Sequence, residues 1–159
     1  INLLTAIMAS FAISFFTEIL DKIIYAAVLM PIVASMGGIA ATQTLGIYIR
    51  AEALRKLNQK SKNYLFRREF IVAIANAIFF SIAIFLITNF WFDDLRLSLA
   101  ISGAMIINLL AAAIFGFMVP RFLRKLGYDP AISGGVVITT VTDILGFVSF
   151  LGIISVLIV

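Results

Sequence analysis

Apolar residues run through this chain in long unbroken stretches, and charged residues gather in short segments between them. The stretches show no alternation of apolar and polar positions, so they predict helices rather than strands. A helix needs roughly 20 mainly apolar residues to cross a bilayer. Backbone polar groups find no water in hydrocarbon, which favours helices further. The pattern predicts an all-α integral membrane protein with five transmembrane helices.

The breaks between the stretches place the five helices. Pro31 is predicted in the first turn of the second helix, where proline is favoured. Gly127 is predicted to end the fourth helix in a left-handed conformation, and Asp129 to cap the fifth ahead of Pro130. Polar residues 17–22 interrupt the first stretch before residues 23–29 become apolar again, residues 55–64 form a polar loop, and residues 91–94 form a turn. The predicted helices cover residues 1–16, 31–54, 65–90, 95–125 and 130–159.

Composition supports a membrane protein and narrows its chemistry. The chain is 63% hydrophobic and 13% charged, whereas soluble domains are about 45–50% apolar and about 25% charged. It contains no cysteine and no histidine, which excludes disulfides, thiolate metal sites and the commonest general base. No nucleophile–base pair or phosphate-binding loop appears, so we expect no enzymatic activity.

The basic residues predict the orientation. Ten of the twelve lie around two loops that a five-helix topology places on the same side of the membrane. The positive-inside rule assigns these loops to the cytoplasm, with the N-terminus cytoplasmic and the C-terminus external, in the cell membrane. The formal charge of +4 therefore indicates orientation rather than nucleic-acid binding. Glu18 and Asp21 fall on the external side, where they either attract cations to a pore mouth or are ordinary solvated charges.

Asp143 is the candidate for ion chemistry. It is the one acidic residue near the middle of a predicted crossing, roughly 20 Å from the start of its helix, and an ionised group at that depth is costly enough to suggest a function. We interpret this helix as a pore wall in which Asp143, Thr139 and Thr142 meet a metal ion or its waters. The alternative is a packing seam with a buried aspartate. Small and polar residues share the face: Gly135, Thr139, Thr142, Asp143, Gly146 and Ser149.

Two further helices carry faces of small residues. In the second helix, Ser35, Gly38, Thr42 and Gly46 fall on one side with Gln43 beside them, and these are candidates for lining a pore or for close packing. In the fourth helix, packing is the preferred interpretation, with Asn108 as an interhelical hydrogen-bonding residue. That face has strict four-residue spacing: Ala100, Ala104, Asn108, Ala112 and Gly116.

In order along the whole chain, these residues resemble the MgtE magnesium channel family. The resemblance rests on Pro31, the Gly37-Gly38 pair, Gln43 and Arg50-Ala51, on Glu69, and on Gly116, Pro120, residues 124–127, 129–131 and 139–143, and Gly146. It implies a homodimeric Mg²⁺ channel whose second and fifth helices line one central pore, with Asp143 holding the ion. Residues 1–159 then form a pore domain without the cytoplasmic sensor domains that precede it in the family. Ile39, Gly135 and Thr139 depart from the family pattern, which leaves strict Mg²⁺ selectivity open.

The chemistry of Mg²⁺ is compatible with such a site. Mg²⁺ prefers oxygen and gives up water reluctantly, so one carboxylate per subunit with neighbouring hydroxyls suits a hydrated ion. In a dimer, two Asp143 carboxylates would repel each other, and a divalent cation would relieve this better than a monovalent one. Two other functions fit the sequence: a proton- or sodium-coupled divalent cation transporter, and a membrane assembly subunit that conducts nothing.

Overall fold

The computed structural model describes residues 2–54 and 59–158, and it is all-α over these residues, as predicted. They form six helices: α1 (Asn2–Ser14), α2 (Thr17–Lys22), α3 (Ile24–Ala53), α4 (Gln59–Phe92), α5 (Leu95–Lys125) and α6 (Pro130–Ile158).

Four of these helices, α3 to α6, are long and apolar enough to cross a membrane. The shortest of the four spans has 28 residues, or roughly 42 Å of helix, against a hydrocarbon core of about 30 Å. The helix α1 has 13 residues and a length of roughly 20 Å, which is less than that core. Four crossings are therefore supported, and the fifth stays a prediction.

The predicted start of the second helix was wrong. The helix α3 begins at Ile24 and contains Pro31 in its interior. Proline removes one backbone hydrogen bond, but transmembrane helices tolerate it because neighbouring helices and local adjustments satisfy the freed carbonyl. Ala26 and Leu29, in the turns before Pro31, are buried in the core. This packing keeps residues 24–30 helical.

The predicted loop between the second and third helices was too long. The helix α4 begins at Gln59, so residues 59–64 are helical, and residues 55–58 lie outside the described part of the chain. Lysine is a good helix former, and Lys60 and Lys62 let the helix extend beyond the apolar sequence. At the other end α4 continues through Phe92, so the turn consists of Asp93 and Asp94 alone.

The helix α5 is the centre of the bundle, with α3, α4 and α6 packed around it and α1 packed on α6. Its row of small residues is buried as predicted, and the fully buried Asn108 donates a hydrogen bond from Nδ2 to the Val33 carbonyl of α3 at 2.8 Å. Small side chains let the helices approach closely. At Gly116, an added Cβ would lie 2.7 Å from Thr44 Cβ.

Contacts at the two ends fix the topology. At one end Tyr25 of α3 packs on Phe92 of α4, with ring centroids 4.8 Å apart. At the other end Arg124 of α5 pairs with Glu52 of α3 at 2.9 Å. The second pair confirms that the α3–α4 and α5–α6 connections lie on the same side of the bundle.

The predicted turn between α5 and α6 is also confirmed. Gly127 has a positive φ of 81°, which glycine adopts without steric cost. The Asp129 Oδ1 accepts a hydrogen bond from the Ala131 backbone N–H at 3.0 Å, which caps α6 ahead of Pro130.

Candidate ion path

Asp143 lies near the middle of α6 and its side chain is half-buried. The helix is held in the bundle by α3 and α5 on one side and by α1 on another. The apolar groove against α1 includes Ile144 and Val148 of α6, so Asp143 lies between the α1 contact and the α3 contact. A carboxylate thus lies on a partly open face near the middle of a helix that is long and apolar enough to cross a membrane.

Gly38 is the point where α3 approaches this face. A Cβ at Gly38 would lie 3.6 Å from Thr139 Cγ2 and 3.9 Å from Thr142 Oγ1. These are ordinary van der Waals distances, so α3 passes the polar face of α6 here with room for about one methyl group between them. The structure therefore brings together Gly38, Thr139 and Thr142, which the sequence had placed on two separate helices.

The hydroxyl groups near this contact donate to their own helices. Thr139 Oγ1 donates to the Gly135 carbonyl at 3.0 Å, and Thr42 Oγ1 donates to the Gly38 carbonyl at 2.9 Å. A hydroxyl has one hydrogen and two acceptor lone pairs, so each oxygen can still accept. The waters around a cation turn their hydrogens outward and need acceptors of this kind.

One side of α3 is open. Ser35, Ile39, Thr42 and Gly46 are all exposed and fall on this side, which we call the open face of α3. On α6, Gly135 is similarly free of close neighbours, because a Cβ there would meet no atom within 4 Å. The open face of α3 and the Asp143 side of α6 are adjacent, since Gly38 lies between them.

Two predicted pore residues of α6 lie instead in the packed interface of a single copy. Thr142 is fully buried, and its hydroxyl donates to the Ile138 carbonyl at 3.1 Å. Gly146 faces α5, where an added Cβ would lie 2.8 Å from Asn108 Nδ2. The predicted polar face covers roughly 120°, about a third of the helix circumference. One edge of it therefore meets neighbouring helices while the other, with Thr139 and Asp143, stays open.

Gln43 belongs to a different environment from Gly38 and Thr42. It lines a separate cavity of about 170 Å³ between α3, α4 and α5, together with Thr44, Glu69 and Asn76. Glu69, singled out in the sequence only through the family resemblance, lines this cavity. Glu69 and Asn76 are seven residues apart, which places both on one face of α4. The seven-residue spacing could have predicted from the sequence that these two polar side chains share one face of α4.

The acidic residues of α2 and of the α4–α5 turn have distinct environments. Glu18 and Asp21 are exposed on the short helix α2, and their role at a pore mouth stays a prediction. Asp94 caps α5, because its Oδ1 accepts from the backbone N–H groups of Arg96 at 2.9 Å and Leu97 at 3.1 Å. This cap was not predicted, although aspartate immediately before an apolar helix is a recognised start signal.

Comparison with known proteins identifies the family. Residues 30–153 match the sequence model of the MgtE family, described as a divalent cation transporter. Over 141 residues the chain is 32% identical to the magnesium transporter MgtE of Bacillus subtilis, covering 89% of this chain and 31% of that protein. Over 154 residues it is 26% identical to the protein of the same name from Thermus thermophilus, covering 96% of this chain and 34% of the relative. The chain therefore spans about a third of the length of these relatives, and it belongs to the MgtE family of divalent cation transporters.

Proposed function

We propose that this chain forms the pore of a magnesium channel in which two copies enclose one path on a two-fold axis. The path is lined by the open face of α3 and by the Asp143 side of α6, and Asp143 is the main ion site. The main support for this proposal is the half-buried Asp143 in the middle of a helix long and apolar enough to span a membrane. In one copy alone this carboxylate would border hydrocarbon, at a cost of about 2.5 kcal/mol or more.

A second copy over this face would remove that cost. It would replace lipid with a water-filled path, and two-fold symmetry is the commonest arrangement of homo-oligomers. The exposed polar and small residues of α3, Ser35, Thr42 and Gly46, would then face the same path. Thr142 and Gly146 have a supporting role in this arrangement, since they pack behind the path and hold α6 against α3 and α5.

The chemistry of the face suits a hydrated divalent cation. Mg²⁺ usually keeps several waters, which the Thr139 and Thr42 oxygens can accept while Asp143 supplies charge. Two Asp143 carboxylates across the axis would repel each other, and a divalent ion relieves that repulsion more than a monovalent ion does. The relatives named magnesium transporters support Mg²⁺ as the ion.

Flux measurements with the purified protein in liposomes test the ion site. We expect Mg²⁺ entry with the wild-type protein and none with Asp143→Asn or Asp143→Ala. Asp93→Asn is the matched control, because it makes the same chemical change at an exposed turn residue with φ of 50°, a conformation that asparagine tolerates. Normal flux through Asp143→Asn would refute the site.

The same preparation separates the alternative functions. Current steps in planar bilayers would support a channel, whereas flux that requires a proton or sodium gradient would indicate a coupled transporter. A wild-type protein that passes no ions under any gradient would indicate an assembly subunit.

Cross-linking tests the shared path. The chain has no cysteine, so a single cysteine at Ile39, on the open face of α3, reports the partner's position. We expect Ile39→Cys to form a disulfide-linked dimer under mild oxidation. Phe79→Cys, at an exposed position of α4, should remain monomeric on the same gel. Equal cross-linking at both positions, or none at Ile39, would contradict the two-fold pore.

A further inference from the structure

A pocket of about 380 Å³ lies at the helix ends on the side of the Glu52–Arg124 pair. We call it the basic pocket. It is formed where α3 ends, α4 begins and α5 ends, so it lies at the boundary of the membrane-spanning bundle. Its lining comprises four basic side chains, one carboxylate and one phenol: Lys62, Arg121, Arg124, Lys125, Glu52 and Tyr48.

Part of this charge has an ordinary structural explanation. Arg124 and Lys125 lie in the last turn of α5, where basic residues are stabilised by the negative end of the helix dipole. Arg124 also donates to Glu52 Oε2 from Nε at 3.2 Å and from Nη2 at 2.9 Å. These interactions leave Lys62 and Arg121 unexplained.

Arg121 is held in place with donor capacity to spare. Its guanidinium carbon lies 4.6 Å from the centroid of the Phe117 ring, a favourable cation–π distance, and its side chain interacts with the buried Tyr48. Among the residues that the structure describes, its Nε is buried and has no hydrogen-bond acceptor. A guanidinium has five N–H donors, so the Arg121 side chain favours an anionic or oxygen-rich ligand in the pocket that it lines.

Phosphate is the anion that such a lining recognises best. Arginine presents a planar set of donors that matches phosphate oxygens, and lysine adds a mobile positive charge. Met118 and Phe122 of α5, with Leu126 at its C-cap, are more than half exposed at four-residue spacing, so an apolar stripe runs alongside Arg121 and Lys125. A ligand with a phosphate and an acyl chain would match both surfaces.

We propose that the basic pocket binds the phosphate of an acidic phospholipid headgroup, with an acyl chain along the Met118–Phe122–Leu126 stripe. Basic pockets at the ends of transmembrane helices bind anionic headgroups in this way. The bound lipid joins the ends of α3, α4 and α5. This site is separate from the ion path and does not depend on the proposed transport function.

Lipid titration of the detergent-solubilised protein tests the proposal. Native mass spectrometry counts bound dioctanoyl phosphatidylglycerol, dioctanoyl phosphatidylcholine or inorganic phosphate, and thermal unfolding reports stabilisation. We expect phosphatidylglycerol to bind preferentially and to raise the Tm. Arg121→Gln and Lys62→Gln should each weaken its binding by about tenfold, since each removes a charge-assisted contact. Arg96→Gln makes the same charge change at the opposite end of α5 and should leave binding unaltered.

Three outcomes would overturn the proposal. Equal binding of phosphatidylglycerol and phosphatidylcholine would remove the role of charge. Inorganic phosphate that displaces phosphatidylglycerol at equal concentration would indicate a site for the free anion. Equal weakening by Lys62→Gln and Arg96→Gln would indicate a general effect of net charge. Lys62→Gln keeps the test valid if Arg121→Gln reduces folding, because Lys62 is not part of the Phe117 contact.

Discussion

Substitutions at the junction of α3, α5 and α6 test how much the close packing of these helices contributes to the free energy of unfolding. Asn108 is fully buried there, between Gly37 of α3 and Gly146 of α6. A Cβ at Gly37 would lie 2.6 Å from Asn108 Cγ and 2.8 Å from Asn108 Oδ1, closer than real Cβ contacts allow. The nearest atoms to that Cβ all belong to the Asn108 side chain. The clash should therefore disappear when this side chain is shortened.

The expected energies follow from these contacts. Gly37→Ala overpacks the junction and should cost about 1–3 kcal/mol of unfolding free energy. Asn108→Ala removes the 2.8 Å hydrogen bond to Val33, which in membranes is worth about 0.6 kcal/mol and at most about 1.7 kcal/mol, and it leaves a void. In the double variant the new methyl group enters that void. We expect a cost below the sum of the single costs by at least about 1 kcal/mol, whereas independent sites add within about 0.5 kcal/mol.

Equilibrium unfolding in mixed micelles measures the unfolding free energies of the wild type, the two single variants and the double variant, which together form a double-mutant cycle. Gly46→Ala is the matched control on the same helix, because a Cβ there meets no atom within 4 Å. It should be neutral or stabilising by up to about 1 kcal/mol, since alanine favours a helix over glycine. Additive costs in the double variant, or a Gly37→Ala variant as stable as Gly46→Ala, would refute the packing argument.

Three shorter predictions follow from the helix ends and the candidate ion path. Asp94→Ala should lower the unfolding free energy by about 0.5–2 kcal/mol while Asp94→Asn keeps most of it, and equal thermal unfolding of the two would exclude the α5 cap. An impermeant thiol reagent added outside intact cells should label Glu18→Cys and not Lys60→Cys, and the opposite pattern would reverse the orientation. Thr139→Ala should keep Mg²⁺ flux while changing selectivity among divalent ions, because it removes only an acceptor for ion-bound water; a complete loss of flux would make Thr139 essential.

The fold was predictable from the sequence where the rule used holds for helices in lipid as well as in water. The α5 row from Ala100 to Gly116 was confirmed because small residues four apart form a face wherever a helix packs. The start at Pro31 was wrong because the rule that places proline in a first turn comes from helices in water. In a bundle, the contacts of Ala26 and Leu29 with their neighbours outweigh the lost hydrogen bond, so α3 continues through the proline.

The candidate site was less predictable, because periodicity defines a face but not what the face meets. Thr142 and Asp143 are adjacent and differ by about 100° around the helix, which is enough to bury Thr142 beside Gly38 of α3 and leave Asp143 partly open. Gln43 likewise followed Thr42 in the sequence, yet it turns towards Glu69 and Asn76 on α4. Only the positions of the neighbouring helices decide which residue of each adjacent pair is packed against another helix and which lies on an open face.

The helix α3 borders both surfaces for which we propose ligands of opposite charge, and its length explains how they coexist. Gly38 marks the candidate cation path, and Glu52 lines the basic pocket fourteen residues later, roughly 21 Å along the helix axis. At physiological ionic strength, exposed charges are screened over about 8 Å. The basic side chains of the pocket, on α4 and α5, therefore repel an ion beside Gly38 only weakly, and an anionic headgroup in the basic pocket would weaken that repulsion further. The helix α3 can thus border a cation-attracting path at its middle and an anion-attracting pocket at its end.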